Sequence, residues 1–134
     1  AGASRALVLD EGVLDLHFLY DSRVRSYFYG IQKRTVKGYM AHVNLAEYYY
    51  KACKQLGRDT ADIRYLSVIR SEIEVFTDEM LAREAGLEKC RSTLDLSLAD
   101  CFALAVTKKF DAMLLTTDEE LVKVKDADVK HFKI

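Results

Sequence analysis

The chain has 134 residues, half of them apolar, with 20 basic and 21 acidic side chains and a formal charge of −1. That apolar fraction excludes an intrinsically disordered chain, and no apolar run approaches the roughly 18 residues of a membrane span. The near-neutral balance does not advertise a nucleic-acid binder, although four acids set aside in one site would leave 20 bases against 17 acids.

In chain order, "RALVLD" (5–10) reads as a short buried strand and "GVLDLHFLY" and "SRVRSYFYGIQKR" as helices, with Asp21-Ser22 as break and cap. "KGYMAHV" (37–43) is a strand candidate. "NLAEYYYKACKQLG" (44–57) is expected to be a helix capped by Asn44 and stopped by Gly57. "DTADIRYLSVIRS" (59–71) is a further helix, "IEVF" (73–76) a strand, and "TDEMLAREAGLEKC" (77–90) a helix opened by Thr77. "SLADCFALAVTKKF" (97–110) is a helix and "AMLLT" (112–116) a strand of unbroken apolar character. "EELVKVK" reads as one or two helical turns and "DVKHFKI" (128–134) as the last strand. Strands alternating with helices predict one α/β domain over residues 1–134 with a mostly parallel sheet, buried on both faces. Residues 1–4, which open without Met, are read as a trimmed or appended end and assigned no function.

Cys53, Cys90 and Cys101 are odd in number and form no CxxC pair, and the three histidines are far apart. A zinc site is not expected, and reduced cysteines suit a cytoplasmic setting. The first apolar run ends in an acid, unlike a secretory signal.

Sites in parallel sheets form outside the carboxyl ends of the strands. Asp10 ends the first predicted strand and Asp118 follows the "AMLLT" strand. Glu47 lies three residues after Asn44, and Asp100 three after Ser97. N-x-x-E and S-x-x-D are also capping-box patterns, so each of these acids has a purely local explanation. The set of four argues for more. Two carboxylates about 4 Å apart repel by roughly 4 kcal/mol at an effective dielectric near 20. A hard divalent cation such as Mg²⁺ or Mn²⁺ relieves that repulsion.

"LVLD", "NLAE", "LSLADCFALA" and "AMLLTTD", in that order, resemble the acidic motifs of PIN domains, nearest the small PIN ribonucleases that include VapC toxins. The resemblance covers the chain from about residue 5 onward. It implies a three-layer α/β sandwich around a five-stranded parallel sheet, and an endoribonuclease dependent on Mg²⁺ or Mn²⁺. It implies Asp10, Glu47, Asp100 and Asp118 as metal-site acids, with Asp10 and Asp100 the firmest, and Thr116 as a hydroxyl holding a carboxylate or a water. The partners implied are RNA, an antitoxin protein and a second copy of the chain, with no membrane. The alternatives are an RNA-processing nuclease outside a toxin–antitoxin pair, or a non-catalytic PIN-like module binding RNA or protein. Gly12 departs from the resemblance, since a small polar residue is common there. Glu11 is expected to face solvent or pair with a base. Arg23, Arg25, Lys33, Arg34 and Lys37 are candidates to flank the cleft and contact phosphate. Lys108 and Lys109 read as favourable cations at a helix C-terminus. Of Tyr48, Tyr49 and Tyr50, one is expected to pack inward, because consecutive helix positions point about 100° apart. The others are candidates for a protein surface or for base stacking.

Overall fold

A computed structural model describes residues 5–134, so the reading of residues 1–4 lies outside the described residues. Five strands, β1 (Leu7–Leu9), β2 (Gly38–Ala41), β3 (Ile73–Phe76), β4 (Met113–Thr116) and β5 (Asp128–His131), form one parallel sheet in the order β3-β2-β1-β4-β5. Six helices connect them: α1 (Glu11–Phe18), α2 (Arg25–Gln32), α3 (His42–Leu56), α4 (Arg58–Ile69), α5 (Leu81–Arg91) and α6 (Leu98–Lys109). A 3-10 turn over Glu119–Lys123 joins β4 to β5. The α/β expectation is met.

The helices sort by strand parity. Leu7 and Leu9 of β1 pack with α1–α4, whereas Val8 packs with α5, α6 and the 3-10 turn. Alternate side chains of a strand point to opposite faces, so every residue of β1 is buried and the strand reads as continuously apolar. The chain moves outward from β1 to β2 to β3, then returns to the other side of β1 for β4. The carboxyl ends of β1 and β4 therefore flank the topological switch point.

Several boundaries differ from expectation. α3 begins at His42, not Asn44; its N-cap is Ala41, which makes no side-chain cap bond. Asn44 lies inside the helix, so Glu47 is in the second turn and belongs to no capping box. α5 begins at Leu81 rather than Thr77, because Asp78 accepts a bond from the Met80 N–H at 2.9 Å and holds a turn first. α2 is capped by neither Asp21 nor Ser22; Asp21 instead accepts from the Arg23 N–H at 2.9 Å. Gly57 does end α3, with a φ of 92° that favours glycine.

Candidate active site

Asp10 follows β1 directly and caps α1. Its backbone is extended, and Oδ1 accepts from the Val13 N–H at 3.0 Å. Its Oδ2 accepts from the Thr116 hydroxyl, at the end of β4. The same hydroxyl oxygen accepts from the Asp118 N–H at 2.9 Å. Thr116, fully buried, thus joins the acid that leaves β1 to the one that follows β4. Asp118 caps the 3-10 turn, with Oδ1 accepting from the Glu120 N–H at 2.9 Å.

Asp100 arrives from the other face. Ser97 and Asp100 form a complete capping box at the start of α6, with bonds of 3.0 Å and 3.2 Å. The capping reading and the site reading of Asp100 are therefore compatible. Glu47 reaches the site from α3. Lys51, one turn further on, stands 3.8 Å from Glu47 Oε2 and donates to Glu11 Oε1 at 2.8 Å. Glu11 pairs with a base, as expected, and that base is Lys51.

The electrostatics link Asp100 to Asp118, Glu47 to Glu11 and Asp118, and Asp10 to Glu11. Burial pushes the Asp10 carboxyl up to about 6, against the lowering effect of the Thr116 and Val13 bonds. Burial, followed by the hydrogen bond and charge of Asp118, pushes Asp100 up to about 7. Glu47 is raised chiefly by burial; Lys51 opposes this, and the charges of Glu11 and Asp118 add to it. Perturbed acids gathered in one place mark a candidate functional site.

The donor chemistry, carboxylate oxygens from Asp10, Glu47, Asp100 and Asp118, is of the kind a hard divalent cation takes. Each Asp10 oxygen has one hydrogen bond from the chain and keeps lone-pair capacity. Among the described residues, no three His, Cys, Asp or Glu side chains lie close enough to grip an ion as they stand. Binding would therefore require side-chain rotation or bridging water.

Gly12 has a steric reason. A Cβ added there would overlap Thr117 Oγ1 and lie 3.1 Å from Thr117 Cβ. A hydroxyl from β4's exit therefore fills the space that a side chain at position 12 would need.

The basic residues divide. Lys37 immediately precedes β2, and Arg34 pairs at 2.6 Å with Glu72, which immediately precedes β3. Both lie at the amino edge of a parallel sheet, opposite the acids, so they do not flank the cleft. Arg23 is paired with Asp21 at 3.0 Å, and Lys33 lies over the ring of Tyr29. Arg25 lines an apolar recess of about 320 Å³ with His17, Phe28 and Ile73. Lys108 pairs with Glu88 and Asp126, and Lys109 with Asp78. Tyr48 is the inward tyrosine, accepting from Arg64 at 2.9 Å, and Tyr50 is exposed.

Sequence reasoning misread Asn44 as a cap and passed over Lys51. The i,i+4 spacing of Lys51 from Glu47 was the available signal.

The PIN domain family profile matches residues 8–127, nearly the whole chain. The chain belongs to the PIN domain family. This is a family of nucleases. Solved structures of similar fold include VapBC2 of Rickettsia felis bound to a DNA fragment from its promoter, at 14% identity and a TM-score of 0.74, covering 96% of this chain and 99% of that one. DNA-bound VapBC of Salmonella typhimurium is 15% identical with a TM-score of 0.74, covering 95% and 98%. VapC20 of Mycobacterium tuberculosis, a sarcin-ricin loop cleaving toxin, is 15% identical with a TM-score of 0.66, covering 91% and 98%. At such identities the likeness is one of fold. No curated protein matches the chain. Among the described residues, no helix is long and apolar enough to cross a membrane.

Proposed function

We propose that this PIN domain is a Mg²⁺- or Mn²⁺-dependent endoribonuclease, the toxin of a toxin–antitoxin pair, acting in the cytoplasm as a homodimer. What supports the reading is the join of Asp10 to the Asp118 backbone through the Thr116 hydroxyl at the switch point, with Asp118 acting on Asp100 at the start of α6. Burial and mutual charge hold Asp100 well above the ordinary carboxylate range. The fold likeness to VapBC complexes supports an antitoxin as protein partner. The sarcin-ricin loop cleavage attributed to VapC20 supports a nuclease activity, which we read as directed at RNA.

Asp10, Asp100 and Asp118 would hold the ion, with Glu47 reaching it directly or through water. A bound divalent ion supplies a polarised water and stabilises the charge that develops on the phosphodiester. Thr116 fixes the direction of the Asp10 carboxylate and the backbone at Asp118. Lys51 offsets charge between Glu11 and Glu47.

The test is cleavage of a panel of structured RNAs with Mn²⁺, Mg²⁺ or EDTA, by the wild-type chain and Asp100→Asn purified alike. Metal-dependent cutting lost in the variant is expected. Equal cutting by both would mean a contaminant. Absence of cutting together with absence of Mn²⁺ binding would favour a non-catalytic module.

A further inference from the structure

Asn44 is 2% exposed, yet it caps nothing. Its Nδ2 donates to the Ala99 carbonyl at 3.0 Å, across 55 residues of chain. A carbonyl can only accept, so the NH₂ group must face Ala99, and the orientation of the amide is fixed. Its Oδ1 is then buried without a partner, the one such side-chain atom among the described residues. A buried acceptor left unmatched opposes folding. Ala99 does not require the bond, since an α-helix supplies a carbonyl at that position with the N–H four residues on. On stability alone, an apolar side chain would serve better at position 44.

What the bond does is geometric. Asn44 lies three residues before Glu47, on the same face of α3. Ala99 adjoins Asp100 at the start of α6. One hydrogen bond therefore ties the helix that carries Glu47 to the backbone beside Asp100. Loss of a group that orients a metal's ligands typically weakens metal binding by about 10–100-fold. We propose that Asn44 is a positioning residue, clamping α3 to α6 at the separation where Glu47 and Asp100 serve one divalent ion. The inference rests on the metal-site reading given above.

The test uses the full chain with Mn²⁺ alone. Free Mn²⁺ is followed by electron paramagnetic resonance during titration of wild type, Asn44→Leu, Asn44→Ser and Asp100→Asn, and melting is measured in EDTA. Asn44→Leu is expected to melt no lower than wild type while its Mn²⁺ Kd rises about tenfold or more. Asn44→Ser, which leaves room for a water to bridge to Ala99, is expected to fall between. Unchanged affinity in either folded variant overturns the proposal. A fall in melting temperature and affinity together in Asn44→Leu also overturns it, because that is the signature of a purely structural residue. If Asn44→Leu does not fold, Asn44→Ser decides alone. If wild type binds no Mn²⁺, or Asp100→Asn binds it equally, the metal-site reading itself fails, and that result is distinct from the others.

Discussion

Neutralising Asp100 should stabilise the metal-free protein while disabling the site. The Asp100 carboxyl lies at about 7 in the folded chain against 3.8 as the ordinary value, through burial first and Asp118 second. Between those pH values the folded state keeps a proton that the unfolded chain has released. Folding stability contributed by this group is therefore lost as pH rises through the window, and the loss is complete above about 7. At about 1.4 kcal/mol per pH unit, the full displacement would be roughly 4 kcal/mol. Water reaches part of the Asp100 side chain and screens it, which brings the expected penalty to about 1–2 kcal/mol. Asp100→Asn removes the charge but keeps an amide oxygen to accept from the Ser97 N–H, so the capping box loses little. In EDTA at pH 8, Asp100→Asn should melt about 3–8 °C above wild type. The gap should close as the pH falls toward 4. Added Mn²⁺ should raise the wild-type melting point and leave the variant's unchanged. A variant equal to or less stable than wild type at pH 8 would refute the reasoning, as would a gap independent of pH.

Two further perturbations probe the same neighbourhood. Thr116→Val keeps the shape but leaves buried Asp10 without its hydroxyl donor and the Asp118 N–H without its acceptor, and should cost about 2–3 kcal/mol in urea unfolding at pH 7. Thr116→Ser should stay within about 1 kcal/mol, and a valine variant as stable as the serine variant would contradict the bridging role of the hydroxyl. Gly12→Ser should cost about 1–3 kcal/mol through overlap with Thr117. Thr117→Ala in the same chain should recover a substantial part of that loss, and strict additivity of the two changes would show that they do not meet.

Much of this protein is legible in short stretches of sequence. β1 and β4 are continuously apolar because both faces of the central strands are covered, and that pattern alone identifies them. The Ser97–Asp100 box and the stop at Gly57 depend on atoms a few residues apart, so local chemistry fixes them. The four acids could be named because each stands just beyond a strand or early in a helix. The join of Asp10 to Asp118 through Thr116 could not be read locally, because it depends on β4 returning beside β1 rather than adding beyond β3. The same strand order, with the parallel sense of the sheet, puts Lys37 and Arg34 at the edge away from the acids. Asn44 shows the boundary most plainly. Its type and spacing matched a helix cap, but α3 begins two residues earlier, where the chain leaves β2. Its bond to Ala99 spans 55 residues, and the Lys51–Glu11 pair spans 40. Local preferences act over a turn or two, whereas contacts of this kind exist only once the sheet has ordered its strands and laid two helices side by side.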